Sequence, residues 1–502
     1  MPLPKKTIFV PFEEWTPDRA KLTTGVNFVR NLIAAADGYE MAPGFAASQI
    51  AVPPQKPMLI RAFKLPTGDI STLIFCRTKI YLLTGAGWAD YTRESSPGVK
   101  VNYTTQATDW WSAVQWGDYV YATNYRDPVQ RFRLTGGIKF NDVAMKTGGF
   151  RCRHLIIVRD FLVGLDTNDD TGSNANPFGI SWSGRLRPDD MEPSLATQAN
   201  YRDIVDIGNI VNATGGDFGI VLGETGMATL DYIGPPVTWQ ISKKEEDVGC
   251  LIRGSMIKAA GIVYWYSQKG WRSSNGGPSQ PIGATKVDSY SRRKIDLRYG
   301  HSMSAIALAD KPVIAWSFVG TDSADKLPDN MIYLQTTLMK FSEGDFDVEC
   351  LGTSGTPEIF MDDPVWGDVM IDTMSGLVDS SGDIRSVIVA LDRAGKIIQM
   401  TPTADTASLT SKEVELIKGM RSRVIRVRLV AEGATEDYMA RVNTRDRLPT
   451  PDISTDPWLI PERTGSCGAD KRGRYHRFNF QLTGDYTNIL GVDVTYVPAG
   501  EK

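Results

Sequence analysis

The 502-residue chain is poor in the residues that cross-linking, metal binding and nucleophilic catalysis use. It has five cysteines, Cys76, Cys152, Cys250, Cys350 and Cys467, spread far apart with no C-x-x-C pair. That pattern excludes a zinc ribbon or a disulfide framework and points to a reducing compartment. The three histidines, His154, His301 and His476, each stand alone with no H-x-x-x-H or H-E-x-x-H, so zinc hydrolysis has little support. His154 alternates with apolar residues and reads as a satisfied sheet residue. There is no G-x-S-x-G elbow, Walker loop or G-x-G-x-x-G. Long apolar runs are missing too: "MPLPKKTIFVPFEEW" is broken by Pro11 and followed by acids, so neither a signal peptide nor a membrane span is expected. A net charge of -4 gives no general attraction to nucleic acid. Any DNA contact is expected to be local or non-adhesive.

What is abundant is glycine (47) and proline (28) beside 12 Trp, 18 Tyr and 18 Phe, a composition that favours short strands joined by turns. Residues 114–132, "VQWGDYVYATNYRDPVQRF", show a strand, a Gly117-Asp118 turn and a second strand. The same form returns at 71–85, 153–167, 218–234, 255–270, 330–341 and 385–400. Further strands, "FGISWSG" (178–184) and "VIAWSFVG" (313–320), fill the longer gaps. This irregular repeat predicts an all-β chain built on an irregular β-propeller of six or seven blades. A pair of packed β-sandwiches is the competing all-β arrangement. Helical periodicity is confined to 18–38, whose latter half is expected to form a short helix. After "TPTADTAS" the strands lengthen. The predicted division is an N-terminal arm (1–50) packing across domains, a propeller (51–402) and a small C-terminal β domain (403–502) for oligomerisation or docking.

Few residues invite a chemical role. Asp166, Asn168 and Asp170 of "DTNDDTG" have the first offsets of a calcium loop, but the glycine falls at Gly172 and the twelfth position is Pro177 where an acid is needed. An Asx-rich turn is expected there. The carboxylate pairs Asp189 and Asp190, Asp203 and Asp206, and Asp362 and Asp363 read as turn acids, since glycan cleavage needs two acids straddling a bond. Asp362 and Asp363, beside a tryptophan in "FMDDPVWGD", are the fairest place to test an enzymatic reading. Four Gly-Gly pairs lack the offsets of a kelch repeat and read as turns. In "RSRVIRVR" (421–428), strand geometry puts Arg421 and Arg423 on one face and Arg426 and Arg428 on the other, as on a charged edge strand. The alternative for these arginines and for "DKRGRYHRF" (470–478) is a basic face docking on an acidic neighbouring subunit. No catalytic, cofactor-binding or metal-binding residue is assigned, and no enzyme activity is expected.

Several stretches, taken in order, resemble the tail nozzle or hub proteins of short-tailed bacteriophages, also called packaged-DNA stabilisation proteins. "NLIAAADGYEMAPGF" (31–45), with Asn31, Gly38, Tyr39, Pro43 and Gly44, looks like their opening segment. "WGDYVYATNYRDPVQRFRL" (116–134) is similar to a hairpin of the family, and "HLIIVRDFLVGL" followed by "ISWSGRLRPDDMEPS" to its next unit. "YIGPPVTWQI" (232–241), residues 263–288 and "GRYHRFNFQLTGDYTNILGVDVTY" complete the series, leaving 340–400 without a counterpart. The resemblance implies a structural virion protein assembled in the host cytoplasm. It would form a ring of about six copies below the portal and adaptor. Such a ring extends the DNA channel, retains the packaged genome and anchors fibres or a needle, and DNA passes its lumen without sequence recognition. Two other classes stay open: a glycan-binding or glycan-cleaving propeller, which needs an aromatic-floored pocket with two facing acids, and a monomeric host scaffold.

Overall fold

The computed structural model describes residues 5–20, 22, 25–355, 386–404, 406–433, 437–447 and 456–500. Seven four-stranded antiparallel sheets among these residues follow one another as propeller blades. Their innermost strands are Pro57–Lys64, Ser112–Trp116, Arg151–Val158, Ile210–Thr214, Ile257–Ala259, Ser304–Ala307 and Cys350–Gly355. The seventh blade takes its outer strand from the other end of the chain: Gly44–Ala47 pairs with Ile397–Thr401. Ring closure is reinforced where Thr72 Oγ1 accepts from the Gly355 amide at 2.9 Å and meets Ser354 Oγ at 3.1 Å.

Burial explains the local sequence. Both faces of a blade pack on neighbouring blades, so its middle strands carry continuous apolar runs instead of alternation. Val313–Phe318 and Gly219–Gly223 are buried at every position, whereas the outer strand Asn200–Asp203 is exposed throughout. Each contact between adjacent blades is one apolar cluster. Phe75, Trp111 and Phe132 join blades 1 and 2, and Phe161, Trp182 and Trp239 join blades 3 and 4. The hairpins seen in the sequence are real but fall at different places in the blade. Residues 153–167 hold first and second strands, 71–85 second and third, and 330–341 third and fourth. Their uneven spacing came from comparing unlike positions, and an extra hairpin, Glu94–Ser96 with Val99–Lys100, lengthens the step from blade 1 to blade 2.

Beside blades 5 and 6 stands a β-sandwich. One sheet runs Val26–Arg30, Thr406–Ser411, Tyr475–Thr483, Tyr438–Arg445; in the other, Lys6–Pro11 and Tyr39–Met41 join Tyr486–Pro498, which pairs with Ser422–Gly433 and then Cys467–Gly473. The helix expected within 18–38 is therefore absent: Val26–Arg30 and Leu32–Ala34 are strands. Their β-branched and apolar residues found better burial between two sheets than on one helix face, a tertiary context that overrides a short periodic signal. Asn31, at φ 58°, turns the chain from one sheet to the other. Its side chain donates to the Thr406 carbonyl at 3.1 Å and accepts from the Asp345 amide at 2.8 Å, tying arm, sandwich and blade 6 together. The sandwich core continues into the cluster between blades 5 and 6, where Trp15 meets Tyr290 edge-on at 5.1 Å.

Two expectations about the basic strand are corrected. Ser422–Gly433 is an interior strand, hydrogen-bonded on both sides. A bulge between Val424 and Arg426 also shifts the register by one. An extra residue reverses side-chain parity, so Arg423, Arg426 and Arg428 all face solvent while Val424, Val427 and Leu429 enter the core.

Candidate functional site

The propeller axis holds the most developed concavity. The innermost strands enclose a tunnel of about 490 Å³. No Asp or Glu lines it among the described residues, but Arg61 and Lys258 do. Arg61 reaches the Ala113 carbonyl of the neighbouring blade, and desolvation against the tunnel wall lowers its pKa. Lys258 donates to the Gly215 carbonyl at 2.7 Å.

At the end where the innermost strands begin, the tunnel opens into a funnel of about 830 Å³. Trp110 lines both spaces, and Tyr125, Arg153, Asp166, Glu224, Arg253 and His301 line the funnel. Local sequence fixes each group. In "TNYRDPV", Asn124 Oδ1 accepts from the Arg126 and Asp127 amides at 3.1 and 2.9 Å, an Asx turn that throws Tyr125 toward the axis. Arg126 is held by Asp109 at 3.0 Å. Arg153 lies 4.0 Å from the Tyr125 ring centroid and binds Asp166 at 2.6 Å. Tyr125 and Asp166 both have positive φ, 70° and 55°. Such non-glycine conformations cost on the order of 1–3 kcal/mol each, a strain that clusters at functional sites. Burial raises the Asp166 carboxyl against the opposing pull of Arg153.

Arg253 is the exception to this pairing. It sits on the short 3-10 turn Arg253–Ser255, positioned by Asn212 Nδ2 donating to its carbonyl at 3.0 Å. Its Nε is buried with no hydrogen-bond partner among the described residues. Burial first, then the positive charge of Arg153, pushes its pKa down to about 10. The arrangement can hold a planar anion, since a guanidinium presents paired donors.

The residues weighed from sequence fall elsewhere or in other roles. His154 is buried on the innermost strand of blade 3 with its Nε2 lacking a partner among the described residues, and burial holds its pKa well below the ordinary value. His301 is exposed at the funnel rim, and His476 is buried in the sandwich. "DTNDDTG" divides: Asp166 goes to Arg153, Asp170 faces Arg151 at 3.7 Å, and Asp169 closes an Asx turn on Thr171 and Ser173. Asp189 binds Arg131 and accepts from Tyr121 Oη at 2.7 Å. Asp190 accepts from the Glu192 amide within a loop, and Asp203 accepts from Asn176 Nδ2 between the paired strands Asn176–Trp182 and Asn200–Asp203. Asp206 lies in the 3-10 turn Val205–Ile207. Asp362 and Asp363 lie outside the described residues. Each Gly-Gly pair includes a glycine at positive φ. Sequence reasoning missed Trp110, Tyr125, Arg153 and Arg253, which come from three blades; no short-range spacing could have joined them.

No protein-family model matches the chain, and no curated protein matches it. Among solved structures, it is similar to BamB from Moraxella catarrhalis at 10% identity and a TM-score of 0.37, covering 79% of this chain and 98% of that one. It is also similar to the extracellular domain of BT4673 from B. thetaiotaomicron at 8% identity and a TM-score of 0.40, covering 71% of this chain and 39% of that one. The chain thus spans well under two thirds of that second neighbour. Scores this low carry no functional argument, and the β-propeller assignment stands on strand order.

Proposed function

We propose that the protein is a structural component of a short-tailed phage tail, a nozzle subunit that forms a ring of about six copies below the portal and adaptor. The observation that carries this reading is the ordered series of family-like stretches, which spans most of the chain. Where those stretches fall supports it. Residues 31–45 link the sandwich to blade 7, 116–134 lie in blade 2, and the terminal stretch supplies two of the longest sandwich strands. The tunnel constrains the path of the DNA in this reading. A space of about 490 Å³ enclosed by the seven innermost strands admits no DNA duplex, so a genome would pass along the axis of the ring, between subunits. In this reading the protein has no catalytic role; it extends the channel, retains the genome and anchors fibres or a needle.

Native mass spectrometry of the purified protein mixed with its adaptor tests the proposal. One closed stoichiometry is expected, and a persistent monomer in that mixture would count decisively against it. One observation favours a second reading as a glycan-binding or glycan-cleaving propeller: Trp110 and Tyr125 share the funnel with Asp166 and Glu224. Asp166 is committed to Arg153, which weakens it as an acid or base. Glycan-array binding, or reducing-sugar release lost on Glu224→Gln, would favour that reading over the nozzle.

A further inference from the structure

We infer that the propeller axis is a binding site for a small, multiply charged oxyanion, carboxylate or phosphate, seated on Arg253 at the funnel and drawn toward Arg61 in the tunnel. This does not rest on the tail reading. The argument is one of unbalanced charge. Arg126 is matched by Asp109, and Arg153 by Asp166. Arg253 makes no ion pair among the described residues, and its Nε is buried without a partner. A buried donor without a partner is costly unless something occupies it. Deeper in, Arg61 and Lys258 hydrogen-bond to backbone carbonyls and make no ion pair, and no carboxylate lines the tunnel among the described residues. Three cations along one axis, none of them in an ion pair among the described residues, focus a positive potential there.

The ligand class follows from size and shape. A cavity of about 830 Å³ is in the range that encloses a small molecule. Guanidinium forks match a pair of oxygens of carboxylate or phosphate in two-bond geometry, which halide or neutral polyols do not reproduce. Glu224, exposed on the funnel wall, opposes anions that extend toward blade 4 and restricts the charged end of the ligand to the Arg253 side.

Isothermal titration of the full-length protein with citrate and, separately, pyrophosphate tests this, with glycerol as the neutral control. Saturable binding of at least one anion at one site per chain is expected, and the tighter of the two identifies the oxyanion preferred. Arg253→Gln should weaken it at least tenfold. Arg61→Gln should weaken it by a smaller factor, and this second variant keeps the test valid should the first fail to fold. Absence of saturable binding by both anions would overturn the inference. So would binding that both variants leave unchanged, or that glycerol matches.

Discussion

At the scale of single residues, buried histidines give the chain a defined response to acid. His476 lies on Tyr475–Thr483, with Nε2 2.8 Å from Ser422 Oγ and Nδ1 without a partner among the described residues. Burial pushes its pKa down to about 4, against about 6.5 in an unfolded chain. Above pH 6.5 the ring is neutral in both states and contributes no pH dependence. Between pH 6.5 and 4 the unfolded chain takes up a proton that the native state refuses, so stability falls as pH falls. At about 1.4 kcal/mol per pKa unit, the loss approaches 3 kcal/mol by pH 4. His154, also depressed by burial, acts in the same direction, whereas burial raises Glu343 and Asp288, which favours the native state on acidification. The wild-type curve mixes these, so the informative quantity is a difference. Urea unfolding at intervals from pH 7.5 to 4.5 should show a shallower acid loss in His476→Gln than in the wild type. Equal slopes would show that His476 is not held neutral.

At the scale of elements, the arm is the part that makes two domains one body. Its strand changes sheet at Asn31, whose positive φ and two side-chain hydrogen bonds do separate jobs. Asn31→Gly keeps the backbone freedom and loses the bonds; Asn31→Ala loses both. With net hydrogen bonds worth about 0.5–1.5 kcal/mol each and an αL alanine costing about 1 kcal/mol more, the alanine variant should lose about 2–4 kcal/mol and the glycine variant less. Chemical denaturation gives both numbers. A glycine variant as unstable as alanine would mean that φ is not the constraint. The arm also shows where sequence reading stops. The blades were legible because hairpins announce themselves through adjacent runs and turns. The strand Val26–Arg30 was not, because its partner Thr406–Ser411 lies about three quarters of the chain away, and Leu32–Ala34 is too short to show a period of its own. The arginine face was lost to a single bulged residue, whose presence no local pattern reveals. The funnel failed for the same reason as the arm: Arg153 and Arg253 meet only once the ring closes.

At the scale of the whole molecule, the proposed ring can be tested on the outer sheet of the sandwich. On its outer sheet, Phe9, Asp493 and Arg428 lie in one cross-strand row, and Thr7, Thr495 and Arg426 in the next. Phe9 is 46% exposed, and Arg423 and Arg426 are partly neutralised by Asp470 and Glu462 on the adjoining segment. Removing 403–502 to test this face would be uninformative, because arm strands Lys6–Pro11 and Val26–Arg30 pair with it and its core runs into blades 5 and 6; such a truncation should aggregate for reasons unrelated to assembly. Surface charge reversal avoids that problem. Exposed ion pairs contribute about 0–1 kcal/mol and like charges opposite Glu462 and Asp493 cost a similar amount, so Arg426→Glu with Arg428→Glu should lower the stability of the monomer by no more than about 2 kcal/mol and leave it folded. Opposite an acidic neighbouring subunit, the same change replaces attraction with like-charge repulsion, which costs several kcal/mol across an interface and slows encounter. If the outer sheet is the ring contact, the double variant mixed with its adaptor should remain monomeric by native mass spectrometry, and phage carrying it should lack complete tails. Closed rings at wild-type yield would move the contact to the blade loops and leave the arginine face a solvated surface.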